Sequence, residues 1–452
     1  MLSRDEQTII AHSTPHGSGA LALVRLSGND AISIAERMSI LASGKLLSEC
    51  ISHTIHHGTI VDTQGITLDS VMIALMHGPK TFTGQNTVEI TCHNNPFLID
   101  SIVETAIQYG ARLAQAGEFS QRAYLNNKID LLQAEAIHEL IGAHNQQALK
   151  ASLGQLQGTF SSWVEVLEKQ LLTTIALSEA SFEFLDDEGD FKELICKNID
   201  TLIHKISELK KNYSAQNVIK EGIRIALLGS VNVGKSSLFN VLLEQKRSIV
   251  NAQAGTTRDS IEAGQYRWGS YITFVDTAGL RITDNSIERE GIERSYQEAH
   301  KADVILLVID ATRTQTGHEQ QIYANLLEKY RDKIITVYNK ADIVDSQSQN
   351  NLLVSTVTRH NIDRLLHALE KKITELCAQY KTSFLVNKRQ YLLMLRLEEK
   401  LKHVMSLTEN IAHYELISLT LKDALEDLKE LTGKSISEAA LNAVFETFCV
   451  GK

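Results

Sequence analysis

The sequence predicts a multidomain α/β and α protein: an α+β N-terminal domain, a discontinuous all-α helical domain, and an α/β domain inserted between its two helical halves. Three observations predict this. Apolar strand-like runs alternate with helical patterns between residues 223 and 358, and helical periodicity flanks that block on both sides. The chain's three prolines (Pro15, Pro79, Pro96) all lie in its first hundred residues, whereas about twenty would be expected at ~5% usage. Beyond them the chain must be helix-rich or regular, with few proline-set turns.

At 452 residues the chain exceeds what one hydrophobic core usually serves. A hydrophobic fraction of 43% and a charged fraction of 22% are those of a soluble globular protein. No run of ~18 apolar residues is present, which argues against a membrane span. The start, MLSRDEQTIIAHSTPHG, lacks a basic segment followed by an apolar one, so no export signal is expected. The cysteines at 50, 92, 196, 377 and 449 form no CxxC pair. Neither a disulfide framework nor a zinc site follows, and a cytoplasmic location is expected. The net charge of −10 argues against broad electrostatic binding of nucleic acid; an RNA partner would be met by local patches or through another protein.

Residues 1–126 alternate short apolar runs with Gly and Asn turns (Leu21–Leu26, Val71–Met76, Val88–Thr91), which predicts a mixed strand and helix domain. Residues 127–217 read as the first helical half. Leu149, Leu153, Leu156, Phe160, Trp163, Leu167 and Leu171 recur at steps of three and four, as on one face of a single long helix, and Asp186–Asp190 reads as a turn. Residues 218–380 hold the α/β block, with strands expected at Ile223–Leu228, Ile272–Val275, Val304–Ile309, Ile334–Val337 and Leu352–Val354 in a parallel sheet. In residues 381–452 the helical period returns with Leu392, Leu395, Leu401, Val404 and Leu407. The two helical halves are expected to pack together around the insertion.

The chemistry concentrates in the inserted block. Gly229-Ser-Val-Asn-Val-Gly234-Lys235-Ser236 fits G-x-x-x-x-G-K-[ST] directly after a strand. Backbone amides of Asn232, Val233, Gly234 and the start of the following helix, with Ser237, would cradle phosphates; Lys235 would reach the β- and γ-phosphates and Ser236 would bind magnesium. Gly433-Lys434-Ser435 has the same last letters but Leu428 where the upstream glycine should be, and reads as a helix break. Gly255-Thr256-Thr257-Arg258-Asp259 supplies a threonine for magnesium and the γ-phosphate. Asp276-Thr277-Ala278-Gly279 ends a strand, with a carboxylate for the metal region and a glycine amide for the γ-phosphate. Asn339-Lys340-Ala-Asp342 ends another. The Asp342 carboxylate accepts two hydrogen bonds from guanine N1 and N2, which adenine does not offer, so the nucleotide is GTP. Ser355-Thr356 would touch guanine O6 through its backbone.

Many GTPases orient water with a glutamine after the DTAG glycine. Here that residue is Leu280. Asn232 could instead hold a monovalent cation beside the phosphates. Glu288 either orients water or is an ordinary solvated carboxylate.

The runs Asn232-Val-Gly-Lys-Ser-Ser-Leu-Phe-Asn240, Ala254-Gly-Thr-Thr-Arg-Asp259 and Asp276-Thr-Ala-Gly-Leu-Arg281 resemble the TrmE–Era group of GTPases. The stretch Gly117–Ala136, Gln155-Leu-Gln-Gly158 and the terminus Phe448-Cys-Val-Gly-Lys452 narrow the resemblance, over essentially the whole chain, to the MnmE (TrmE) family of tRNA-modification GTPases. It implies a tetrahydrofolate-binding, dimerising N-terminal domain, a homodimer, and a heterotetramer with an FAD-containing MnmG-type protein. Together these install an aminomethyl or carboxymethylaminomethyl group on carbon 5 of the wobble uridine of certain tRNAs. By position it implies potassium ligands at Asn232, Asn251, Gln253 and Thr256, magnesium ligands at Ser236 and Thr257, and Glu288 as the water-orienting residue. A 5-formyl or 5,10-methylene tetrahydrofolate would meet Arg25, Glu89, Lys128 and Lys452. Cys449 is either a reactive thiol beside the one-carbon donor or a packed one. The histidines at 53, 56 and 57 read as surface polar sequence.

Three positions depart from the family pattern: Val231 for the usual proline, Ser355-Thr356 for Ser-Ala, and Asn94-Asn95 for a glycine pair. The last would weaken folate binding if those glycines serve close ligand approach or positive φ. An Era-like regulatory switch acting on RNA or the ribosome is the alternative function.

Overall fold

The computed structural model describes residues 7–183, 188–211, 213, 222–244, 261–277, 296–344, 352–379, 384–408 and 414–451. They form two compact units. The first contains Met1–Ile141, Leu153–Ser207 and Asn387–Lys452; the second contains Gly142–Ser152 and Glu208–Val386.

The first unit opens with strands β1 (Ile9–His12) and β2 (Leu21–Ser27), helix α1 (Ala31–Arg37), strands β3 (Ser39–Leu41), β4 (Thr54–Val61), β5 (Thr67–Met76) and β6 (Thr87–His93), helix α2 (Pro96–Gln108) and strand β7 (Arg112–Leu113). The strands make a seven-stranded sheet in the order β3-β4-β5-β6-β2-β1-β7. Period-two alternation decides what each face does. Ala22, Val24 and Leu26 of β2 and Val88, Ile90 and Cys92 of β6 are buried in one core with Ile34 of α1 and Ile99 and Ile102 of α2. The intervening residues point to the opposite face, and there Arg25 and Glu89 stand directly opposite each other in the ladder. His56 and His57 lie on β4 and bond Thr54 and Ser70.

Next come α3 (Glu118–Leu125), α4 (Leu131–Ile141), α5 (Gln146–Leu156), α6 (Thr159–Glu183) and α7 (Glu188–Lys211). The single long helix expected across Leu149–Leu171 is two. Gly158, at φ +91°, breaks it, and Gln133 Nε2 donates 2.9 Å to the carbonyl of Leu156 at the end of α5. Phe160, Leu167 and Leu171 are fully buried, whereas Leu149 and Leu153 are exposed. Of the acidic turn expected at 186–190, Glu188–Asp190 begin α7, while Asp186 and Asp187 lie outside the described residues.

In the second unit the strands are β8 (Ile223–Leu228), β9 (Ile261–Arg267), β10 (Ser270–Asp276), β11 (Val304–Asp310) and β12 (Ile334–Asn339), with helices α8 (Lys235–Glu244), α9 (Gly317–Tyr330) and α10 (Ile362–Gln379). The order is β12-β11-β8-β10-β9. β9 pairs antiparallel at the edge, so the sheet is mixed and not wholly parallel as its alternation suggested. Leu352–Val354 contributes only a bridge between Tyr338 and Leu353. Alternation again assigns the faces: Ile225, Leu227, Val304 and Leu306 pack with α8 and α10, while Ala226, Leu228, Ile305 and Leu307 pack with α9. Both faces are thereby covered, as buried β strands require.

The first unit closes with α11 (Lys388–Leu407), α12 (Tyr414–Thr432) and α13 (Glu438–Phe445). The buried stripe of α11 includes Leu393, Met394, Leu397, Leu401 and Val404; Leu401 and Val404 are buried as their spacing suggested, whereas Leu392 is exposed and Leu395 and Leu407 are half-buried. α12 packs on both α6 and α11, which joins the two helical halves. Glu135 of α4, 5% exposed, binds Arg389 through both carboxylate oxygens at 2.8 Å and also accepts from Gln390. Gly433, at φ +86°, ends α12 and receives the Tyr124 hydroxyl on its carbonyl, as the helix-break reading of Gly433–Ser435 requires.

Candidate nucleotide site

The carboxyl ends of β8, β10, β11 and β12 meet at one edge of the sheet of the second unit, the usual place for ligands in such folds. After Leu228 the chain turns sharply. A Cβ on Gly229 (φ +150°) would lie 2.2 Å from the Val308 carbonyl, and one on Gly234 (φ +95°) 2.2 Å from Asn339 Nδ2. Asn232 adopts φ +63° between them. Such alternation turns successive backbone N–H groups inward as an anion cradle, and α8 starts immediately behind it, adding the positive end of its dipole.

Lys235 is 6% exposed, and its ammonium donates to the carbonyls of Gly229 and Ser230, each at 2.6 Å. Burial pushes its pKa down to about 8, against the opposing charge of Asp276. Asp276, 1% exposed, ends β10, and the neighbouring Thr277 hydroxyl donates to the Leu227 carbonyl at 2.8 Å. Val233 is buried, while Asn232, Ser236 and Ser237 are exposed at the mouth.

The base side is built by β12 and the turn after it. Asn339 Nδ2 donates to the Val233 carbonyl at 2.9 Å, tying this strand to the phosphate loop. Its Oδ1 is buried without a partner among the described residues. Lys340, at φ +71°, reaches Asp310 at 2.6 Å. Burial would raise the Asp310 pKa, yet bonds from Lys340 and Thr312 hold it below the usual carboxylate range. Asp342 receives the hydroxyl of buried Ser355, whose Oγ also accepts from the amides of Val357 and Thr358 at 3.2 and 3.1 Å. Asp342 is thereby aimed across the mouth with one oxygen already oriented. A cleft of about 1250 Å³ joins these parts, lined by the phosphate loop, Thr277, Asn339, Lys340, Asp342 and Thr356. The orphaned Asn339 oxygen, the cradle that no Cβ could enter and the buried ammonium fit a guanine nucleotide with its phosphates. Asn251, Gln253, Thr256, Thr257, Ala278, Gly279, Leu280 and Glu288 lie outside the described residues.

A second constellation stands on the N-terminal sheet. Arg25 Nε donates to Glu89 at 2.8 Å, and its other nitrogen reaches the Gly451 carbonyl at 3.2 Å. Residues 449–451 are stitched alongside by a bridge from Ala116 to Val450 and a bond from the Gly117 amide to the Cys449 carbonyl. A Cβ on Gly451 (φ +91°) would meet Ser13 Cα at 2.7 Å. Ser13 Oγ and His12 Nδ1 are buried there without partners among the described residues. Arg25, Glu89 and the tail therefore converge, and Cys449 is exposed beside them. Lys128 is not joined to this group: it is exposed, with its stem against the Gly84 turn. Lys452 lies outside the described residues. Neither Asn94 nor Asn95 has a positive φ; Asn95 caps α2, accepting from the Phe97 amide at 3.0 Å, and Asn94 donates to the Gly17 carbonyl. Positive φ is thus not what these two positions require.

Sequence reasoning passed over Asp310, Ser230, Tyr323 and Glu319. An Asp ending an apolar strand, as Asp310 does, was a usable signal. Tyr323 gave none, since it meets Ser230 across 93 residues of chain.

Residues 131–449 match the family described as MnmE helical domain, and residues 8–128 match that described as GTP-binding protein TrmE N-terminus. The tRNA modification GTPase MnmE of Fervidobacterium nodosum is 36% identical over 100% of this chain and 98% of its own length. That of Chlorobium chlorochromatii is 34% identical over 100% and 99%, and that of Geobacillus thermodenitrificans 35% over 98% and 99%.

Proposed function

Because the chain belongs to the MnmE family of tRNA modification GTPases, we propose that it hydrolyses GTP to drive modification of carbon 5 of the wobble uridine of certain tRNAs. It does so as a cytoplasmic homodimer with an FAD-containing, MnmG-type partner. The observation that carries the GTP reading is the Asp342 carboxylate, oriented by Ser355 across a cleft whose opposite wall is the phosphate loop. Its free lone pairs select the two adjacent N–H donors of guanine. Asn339 binds the two walls to each other through Val233.

In this reading Lys235 leaves the carbonyls of Gly229 and Ser230 for the phosphates. Ser236 and Thr257 hold magnesium, which neutralises phosphate charge when bound. Asn232, whose side chain is exposed in the left-handed turn, would ligate potassium together with Asn251, Gln253 and Thr256. Leu280 cannot orient water, so that task falls to Glu288. Residues 1–126 act as the dimerising, folate-binding domain, 127–217 and 381–452 as the helical domain, and 218–380 as the GTPase. The tetrahydrofolate derivative would lie where Arg25, Glu89 and the 449–452 tail converge. Because Arg25 and Glu89 already pair at 2.8 Å, they serve one end of that ligand together, and Lys128 serves another part of it.

Nucleoside analysis of tRNA from cells lacking this protein tests the reading. Loss of the modified wobble uridine is expected, whereas unchanged nucleosides with a ribosome defect would favour an Era-like switch. In vitro, GTP turnover should rise when potassium replaces sodium, and Asn232→Ala should abolish that rise. Glu288→Ala should slow hydrolysis and leave GTP affinity intact; equal turnover in both salts would remove potassium from the mechanism.

A further inference from the structure

The first half of the phosphate loop is held from behind by a residue that takes no part in the nucleotide motifs. Tyr323 lies on α9, 7% exposed, with its ring in the core that covers Ala226, Leu228 and Ile305. Packing alone would be served by phenylalanine, and a buried phenol needs a polar partner. Its hydroxyl has two, both on Ser230: it accepts from the backbone amide at 3.0 Å and lies 2.7 Å from Oγ. The Ser230 side chain also faces the Glu319 carboxylate, and Arg313 grips that carboxylate through two bonds of 2.8 and 2.6 Å.

Only one sense of these bonds satisfies every atom. The Ser230 amide donates to the phenol oxygen, the phenol donates to Ser230 Oγ, and the serine hydroxyl donates to Glu319, an acceptor only. The Ser230 amide and the Gly229 carbonyl belong to one planar trans peptide, so they point in opposite directions. Pinning the N–H toward Tyr323 aims the carbonyl at Lys235, and that carbonyl is one of the two that seat the ammonium at 2.6 Å. When Lys235 moves to a phosphate, one of the two holds on this peptide plane is lost, and Tyr323 keeps the other.

We propose that Tyr323 is a positioning residue of the nucleotide site: its hydroxyl fixes the Gly229–Ser230 peptide and thereby the shape of the phosphate cradle and the seat of Lys235. The proposal rests on the GTP reading above. A residue that shapes the cradle acts on nucleotide binding, not on the hydrolytic step.

The test is Tyr323→Phe in the full chain, which keeps the ring and removes the hydroxyl. Loss of two neutral hydrogen bonds of ordinary strength should raise the Kd for a fluorescent GTP analogue and the KM for GTP about tenfold. The kcat should stay within about twofold, and thermal denaturation should show an intact core. Ser230→Ala, which removes one of the two bonds, should raise Kd about threefold, and it serves as the test if Tyr323→Phe fails to fold; Ser230→Thr should restore it. Unchanged Kd and KM in a folded variant would overturn the clamp, as would a fall in kcat at constant KM. If the unaltered protein itself binds no GTP, the GTP reading has failed and not the clamp.

Discussion

Lys235 illustrates how much a single residue's surroundings add to what its motif says. The motif assigns it to phosphates, but burial lowers its pKa to about 8. Phosphates would raise that value, so binding and protonation are linked. Below about 8 the lysine is charged in both the free and bound protein, and affinity is flat with pH. Above it the free protein has lost the proton that binding must recover. Affinity for GTP should then fall about tenfold per pH unit, a slope that ends at the higher pKa of the complex. Titration calorimetry between pH 7 and 9.5 would show this, and a flat Kd over that range would contradict it. At this scale the motif residues were legible because spacing along a loop fixes them. Tyr323 and the Arg25–Gly451 contact were not, since each pairs atoms that only the tertiary fold brings together.

At the scale of an element, Gly117–Leu125, part of the run that carries the family resemblance, works as architecture. Gly117, at φ +66°, leaves no room for a Cβ, which would lie 2.5 Å from the Phe445 carbonyl. Glu118 then opens α3, 5% exposed, between Arg112 and Arg122 at 2.6 and 2.8 Å. Burial raises its pKa, but bonds from Arg112, the Gln115 amide and Arg122 outweigh burial and leave it below the ordinary carboxylate value. A depressed carboxylate contributes stability that is complete above its unfolded pKa and is lost as pH falls through the folded one. Glu118→Gln should therefore cost about 1.5–3 kcal/mol near neutrality, and its deficit should shrink as pH drops below about 4. Equal losses at pH 7 and pH 3.5 by denaturant titration would refute this. Periodicity gave the helices themselves but not every residue of their buried faces: the break at Gly158 and the outward position of Leu392 changed which leucines are buried. Apolar spacing reports that a stripe exists, whereas a positive-φ glycine or a neighbouring helix decides where it starts.

For the whole molecule, insertion of the nucleotide block was readable because helical periodicity stopped at one point and resumed at another. The first unit is assembled from three separate segments, with Glu135 joined to Arg389 across 254 residues of sequence. The edge strand β9 was not readable: it lies between two segments of motif and pairs by hairpin with β10, so its apolar pattern is weak where one side is an edge. Two compact units predict separate responses to ligands. A ligand that binds only the native form of one core stabilises that core by RT ln(1 + [L]/Kd), about 2.7 kcal/mol at a hundredfold excess over Kd. GTP with magnesium should therefore raise one calorimetric transition and leave the other in place, and 5-formyltetrahydrofolate should act on the other. The assignment is checked by Lys235→Ala, which should abolish the GTP shift and preserve the folate shift, and by Arg25→Ala, which should do the reverse. A single transition moved by both ligands would mean that the two units unfold as one cooperative body, each ligand adding its own RT ln(1 + [L]/Kd) to the stability of the whole.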